Sequence, residues 1–207
     1  PAYYEQIAGT VREFISSNQY EDEKILGISI ATQGVTSPDH TTVTYGTIMN
    51  NTGMKLEEFT RRLPYPCYLE HDSKSAAFLE LWNHPGLDSA VVFLLNRNLG
   101  GAIITNHQIH QGNSMHSGTL EHMCVNPDGP LCYCGNHGCL EQYISERALL
   151  QDLSEQKGKP VSLDELIRLS RNEDPDALRI HERFLKYMSI GLNNVLNTLN
   201  PGLIVIN

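Results

Sequence analysis

Pro130-Leu131-Cys132-Tyr133-Cys134-Gly135-Asn136-His137-Gly138-Cys139-Leu140-Glu141 packs three thiols and two glycines into one short stretch. His122 stands upstream of it, in Glu121-His122-Met123. His122, Cys132, Cys134 and Cys139 together form a Cys3His donor set, which a structural zinc takes in tetrahedral geometry. The competing reading is a disulfide. Cys132 and Cys134 are too close in sequence to bridge each other easily, so Cys139 would pair with one and strand the other. The chain has 5 cysteines, an odd count, and Cys67 and Cys124 lie within apolar runs. Pro1 to Tyr20 shows no cationic start followed by a long apolar core, so no secretory signal is expected. Both features favour a reducing compartment and thiolate chemistry. The expectation is one tightly bound zinc, worth about 10–16 kcal/mol by analogy with small zinc peptides.

The bulk composition sets limits around this knuckle. The chain has 207 residues, 40% of them hydrophobic, which suffices for one large domain or two small ones. Its formal net charge is −9, and its 15 Lys and Arg are scattered rather than gathered into a basic stripe. By itself it is therefore a poor nucleic-acid binder. The apolar runs are far short of a membrane span. A soluble, cytoplasmic α/β protein is expected.

Periodicity places the elements. Ile7, Val11, Phe14 and Ile15 recur at helical spacing between Tyr3 and Ile15. Lys24 to Ala31 and Thr41 to Tyr45 read as strands, and Leu56 to Leu63 reads as a short helix closed by Pro64 and Pro66. Cys67-Tyr68-Leu69 is a strand delivering Glu70-His71-Asp72 to the start of a helix over Ser73 to Trp82. Ser89 to Leu95 and Gly100 to Thr105 are strands around Asn96-Arg97-Asn98-Leu99. Further helices are predicted over Leu140 to Ser145, Ser162 to Ser170 and Asp176 to Leu199. Ser162 with Glu165 forms a capping-box pattern. Leu203-Ile204-Val205-Ile206 reads as a buried strand, which needs neighbours on both edges. A chain ending one residue later is expected to be part of a longer polypeptide.

Four residues could carry chemistry. Asp72 follows a strand and precedes a helix, the position where open α/β sheets place ligand-contacting groups. Its carboxylate could accept from a hydroxyl or act as its general base, or it could simply cap the helix. Glu141 follows Cys139 by two positions, so a metal would fix its backbone for gripping vicinal hydroxyls. Alternatively it is a first-turn acid complementing the helix dipole. If one ring nitrogen of His122 binds zinc, the other is an oriented donor toward a ligand or a backbone carbonyl. Asn51, in the loop from Asn50 to Gly53, is a further candidate contact. On spacing alone His71, His107, His110, His116 and His137 read as surface or turn residues. Gly100-Gly101 is a weak phosphate signature and is better read as a strand-edge bulge.

At these residues the chain resembles the ROK family, which groups sugar-responsive bacterial repressors with sugar kinases. The strongest part is Glu121-His122-Met123 through Asn126-Pro127-Asp128-Gly129 to the Cys-x-Cys-Gly-x-x-Gly-Cys-Leu-Glu run ending at Glu141. Gly27-Ile28-Ser29-Ile30-Ala31 with Gly34, Glu70-His71-Asp72 with Ala76-Ala77, and Asn200-Pro201 support it. The resemblance is closest to repressors such as those for N-acetylglucosamine and xylose. It implies an actin-like (ribonuclease H-like) fold of two α/β lobes with a sugar in the cleft. The first lobe, partial, would span 1–85 and the second, carrying the knuckle and cut short at its end, 86–207. It implies zinc on His122, Cys132, Cys134 and Cys139. It also implies sugar contacts from Asp72, His122 and Glu141, and places His71 where kinases usually have Asn and repressors often have His.

Departures from the family pattern weigh against a kinase. An Asp-x-Gly-x-Thr phosphate turn is absent from this chain. A second turn, of Gly-Thr-Gly-x-Gly-Gly type, is here Asn96-Arg97-Asn98-Leu99-Gly100-Gly101, whose side chains fill space that phosphates need. The family's Gly-Glu-x-Gly-His is here Gly118-Thr119-Leu120-Glu121-His122, and Lys74 is unusual beside Asp72. The leading expectation is the sugar-sensing and oligomerising region of a repressor, dimeric or tetrameric. It would take a sugar or amino sugar and reach DNA through a helix-turn-helix upstream of Pro1. The alternatives are an ATP- and Mg2+-dependent sugar kinase with Asp72 as catalytic base, and a zinc-stabilised interaction module that has lost its ligand.

Overall fold

A computed structural model describes residues 2–207, which fold into two compact units: residues 2–75 with 113–115, and residues 76–112 with 116–207. The first unit begins with α1 (Ala2–Ser17). Two parallel strands follow, β1 (Ile28–Thr32) and later β4 (Cys67–His71), in register from Ile28 opposite Cys67 to Thr32 opposite His71. Between them, β2 (Val35–Thr36) and β3 (Val43–Tyr45) pair antiparallel, and α2 (Glu57–Thr60) packs on the unit's core. That core gathers Ala8, Val43, Met54, Phe59, Leu63, Cys67 and Leu69. The first strand starts at Ile28 rather than Lys24. Asp22–Lys24 forms a 3-10 turn, Leu26 is 92% exposed, and the ladder opens where Ile28 N–H meets the Pro66 carbonyl at 2.8 Å.

The helix α3 (Asp72–Asn83) starts directly at the end of β4 and carries the boundary between the units, after Ser75. In the second unit, β5 (Ala90–Leu95), β6 (Leu99–Thr105) and β7 (Gln108–Ile109) form an antiparallel meander. Four helices follow: α4 (Glu141–Ile144), α5 (Glu146–Lys157), α6 (Leu163–Arg171) and α7 (Pro175–Leu199). β8 (Leu203–Ile206) then returns parallel to β5, giving the order β7-β6-β5-β8. Alternation along β5 buries both faces. Val91 and Phe93 point into a core with Leu140, Ile144, Met188 and Val195, whereas Ala90 and Val92 join Ala77, Ala102 and Ile104. A third cluster, Leu153, Val161, Leu166, Ala177 and Ile180, ties α5, α6 and α7 together.

Local signals explain the helix ends. Ser162 accepts from Glu165 N–H at 3.2 Å, as the capping pattern predicts. Asp174 accepts from Asp176 and Ala177 N–H ahead of Pro175, and Asn200, left-handed at φ 44°, ends α7. α5 was not legible from apolar spacing. Its start is written in Ser145, which is extended and accepts from Ala148 N–H at 3.2 Å. β8 was read as fully buried, but Leu203 and Ile206 are 42% and 49% exposed, because the described sheet pairs β8 on one edge alone. No helix among the described residues is long and apolar enough to cross a membrane.

Phe59 is fully buried at the centre of the first unit's core. Phe59→Ala is expected to cost about 3–5 kcal/mol, read from the midpoint of urea unfolding.

Candidate functional site

The knuckle closes through its backbone. Cys132 N–H donates to the Asn136 carbonyl at 2.8 Å, Gly135 N–H to the Cys132 carbonyl at 2.9 Å, and Leu131 bridges His137. Gly138 sits at φ 66°, and a Cβ there would lie 1.5 Å from the Asn126 carbonyl oxygen, so no larger residue fits. The backbones of Cys139 and Cys124 then pair in a single antiparallel β-bridge, and Leu140 N–H reaches the Met123 carbonyl at 2.8 Å. This pairing lays the knuckle beside the 3-10 turn Leu120–His122.

The result brings His122, Cys132, Cys134 and Cys139 together, with one ligand atom from each lying within 4.8 Å of the others. Cys132 Sγ is 3.7 Å from His122 Nδ1, and Cys134 Sγ is 3.6 Å from Cys139 Sγ. A tetrahedral zinc with bonds of about 2.3 Å to sulfur spaces its ligands about 3.8 Å apart, so the donor set fits such an ion. All five cysteines are free. Burial pushes the Cys132 and Cys139 thiols upward and the His122 imidazole downward. Burial also opposes the Cys134 thiolate, but the Asn136 backbone N–H and the neighbouring thiols outweigh it and bring Cys134 below its ordinary value. A divalent cation would supply the charge that lets all three thiols ionise. The second ring nitrogen of His122, Nε2, lies 4.0 Å from Glu121 Oε1, beyond direct hydrogen-bond distance.

Glu141 opens α4 and is completely buried. Its Oε2 accepts the Leu99 N–H at 2.6 Å and its Oε1 accepts from Arg147 at 3.2 Å. Burial raises its pKa, and these two donors oppose the rise. Arg147 also lies over the Tyr133 ring at 5.7 Å, and Tyr133 meets His122 edge-on at 5.1 Å. Arg147 and Tyr133 thus link Glu141 to the Cys3His cluster. Sequence reasoning missed both, since Ser145 breaks the helix between Glu141 and Arg147 and removes the periodicity that would pair them. Thr119 is used locally, its hydroxyl donating to the His116 carbonyl at 2.9 Å.

The other candidates lie in the first unit. His71, at the end of β4, is buried, contrary to the surface reading, and its Nδ1 lies 2.9 Å from Ser73 Oγ. His107, His110, His116 and His137 are exposed. Asp72 Oδ1 accepts the Ser73 N–H at 2.7 Å and lies 3.6 Å from His71 Nε2. Asn51 Nδ2 donates to Thr32 Oγ1 and to the Gln33 carbonyl, both at 2.9 Å, so its side chain pins the end of β1. Lys74 is 2% exposed and donates to the Met115 carbonyl at 2.7 Å.

These features define an α/β protein with a Cys3His cluster wired to a buried carboxylate. The chain belongs to the ROK family, whose model it matches over residues 1–207. It is 30% identical over 202 residues to the xylose repressor of Bacillus subtilis (strain 168), covering 95% of this chain and 51% of that protein. It is 26% identical over 213 residues to the N-acetylglucosamine repressor of Escherichia coli O6:H1, covering 97% and 52%. The chain therefore spans about half the length of the curated relatives it matches. Among solved structures, the ROK hexokinase of Thermus thermophilus matches with a TM-score of 0.80 at 26% identity, covering 98% of this chain and 69% of that one. The actin-like α/β class that the sequence resemblance implies agrees with these neighbours.

Gly138→Ala forces a left-handed alanine against the Asn126 carbonyl. The left-handed conformation alone costs about 1–2 kcal/mol, before the clash. The expected outcome is that Cys132 and Cys139, buried in the parent, become reactive toward a thiol reagent under native conditions.

Proposed function

We propose that this chain is the effector-reading and assembly region of a ROK-family transcriptional regulator of carbohydrate metabolism. Its ligand is a sugar or amino sugar, with Asp72, His71, Asn51, His122 and Glu141 as the proposed contacts. The observation that carries the reading is the state of the β5–β6 turn. A phosphate cradle needs backbone N–H groups free to face the anion. Here Asn96 N–H donates to the Asn98 carbonyl, Arg97 N–H to Asn96 Oδ1 and Leu99 N–H to Glu141 Oε2. Asn98 and Leu99 are buried as well. A turn whose N–H groups are already taken by the Asn98 carbonyl, the Asn96 side chain and Glu141 suits a sensor better than a phosphoryl-transfer site. The similarity to two repressors agrees with this.

Zinc on His122, Cys132, Cys134 and Cys139 would hold the knuckle closed, and this is the chemistry it supplies. The chain's own residues do the rest. His122 and Glu141 are placed by the knuckle, while His71 and Asp72 are placed by the end of β4. Ligand binding that favours one arrangement of the assembled subunits, a dimer or tetramer in the cytoplasm, would be passed to a DNA-binding domain outside these residues. The net charge of −9 agrees with assigning the DNA contact elsewhere. A second reading, an ATP-dependent sugar kinase with Asp72 as base, is favoured by the likeness to the ROK hexokinase and by Asp72 standing at a strand end.

Elemental analysis of the full-length protein is expected to give one zinc per chain. Calorimetry across hexoses, pentoses and N-acetylhexosamines should find one sugar bound, with affinity falling about tenfold or more after zinc is removed. Unchanged affinity in the zinc-free protein would exclude the metal's role, whereas ATP-dependent phosphorylation of a bound sugar would replace the sensor with the kinase.

A further inference from the structure

Lys74 is not accounted for by the metal cluster or by the proposed ligand contacts. It lies in the first turn of α3, two positions after Asp72, and is 2% exposed. Taking an ammonium out of water is expensive, so a buried lysine needs a partner. Among the described residues its hydrogen-bond partner is the Met115 carbonyl, at 2.7 Å. Burial pulls Lys74 below the ordinary lysine range, with Glu70 opposing the shift.

Met115 is unusual too. It is 3% exposed and has φ 64°, a left-handed conformation that costs a long L side chain energy unless its surroundings impose it. Asn113–Met115 belongs to the first unit, while Gly112 and His116 on either side belong to the second. An excursion that ends on a buried, left-handed residue requires an anchor, and a charge-assisted hydrogen bond to its last carbonyl is a strong one. The chain beyond it has little slack. Thr119 donates to the His116 carbonyl through both its N–H and its hydroxyl, at 3.3 and 2.9 Å. Gly118, at φ 84°, lies so close to Ala102 that a Cβ would come within 2.8 Å of its Cα. His122 N–H then donates to the Thr119 carbonyl at 3.2 Å.

We propose that Lys74 is a positioning residue for sugar binding. It pins Asn113–Met115 through the carbonyl of left-handed Met115, so that the stretch leading to His122 is ordered before the sugar arrives. The proposal rests on the sugar-reading function above. An ordered stretch loses less entropy on binding than a loose one, so the pin acts on affinity.

Hydrogen exchange on the full-length, zinc-loaded protein, followed by mass spectrometry, compares the parent with two variants. Lys74→Met keeps the stem without a donor, and Lys74→Gln keeps an N–H donor without the charge. In Lys74→Met the amides of 113–122 are expected to exchange about tenfold faster, with zinc content unchanged. The melting temperature should stay within about 3 °C, because a buried charge leaves together with its hydrogen bond. Affinity for xylose or N-acetylglucosamine, whichever the parent binds, should fall about fivefold. Lys74→Gln should recover part of both effects. Unchanged exchange overturns the pin. Faster exchange with unchanged affinity overturns the positioning role, as does a collapse of the melting temperature in both variants. If the parent binds neither sugar, the sugar reading itself has failed on these ligands and the proposed role in binding falls with it, while the exchange result still decides the pin.

Discussion

The second unit depends on a carboxylate that never meets water. Glu141 is fully buried, and an unpartnered charge there would be prohibitive. It is kept by two donors from separate parts of the chain: the Leu99 N–H at the head of β6 and the Arg147 guanidinium at the start of α5. Both donors must be in place for the group to be tolerated. The acid thereby couples the β5–β6 turn to the helices that follow the knuckle. Glu146 and Arg147 N–H reinforce the link by donating to the Asn96 and Arg97 carbonyls. Tyr133, between Arg147 and His122, extends the same chain of contacts to the Cys3His cluster.

The two units treat buried charge differently. Glu141 is surrounded by donors in the second unit, whereas Lys74 in the first unit has a backbone carbonyl as its hydrogen-bond acceptor. Apolar residues of similar shape would often be at least as stable in either place, so retaining such groups is better explained by the conformation they specify than by energy they add. In each case the group fixes a turn of the backbone. One is the closed Asn96–Leu99 turn and the other is left-handed Met115.

The same contrast bears on what a ROK protein of this kind does. The knuckle keeps each ligand in place, and the Gly138 close approach allows no substitution there. The turn that would have to open toward phosphates is closed by an asparagine side chain and by Glu141. Under the sensor reading proposed above, a turn closed in this way holds a shape, whereas phosphoryl transfer depends on positioned, unobstructed donors.

Much of this was readable before folding. Thiol spacing and flanking glycines are local properties, so the Cys3His set followed from residue types alone. Strand alternation and the Ser162 cap are local as well. Other features needed the third dimension, because they join residues distant in sequence. The burial of His71 depends on the fold around it. The exposure of Leu203 and Ile206 depends on which sheet edge they occupy. The Arg147 grip on Glu141 crosses a helix break that erases the periodic signal. Lys74 looked merely out of place beside Asp72, and only the return of Met115 to the first unit gave its charge a partner. Short-range patterns determine which groups can bind or coordinate, but a buried charge is tolerated only where distant backbone supplies its hydrogen bonds, and that placement belongs to the tertiary structure.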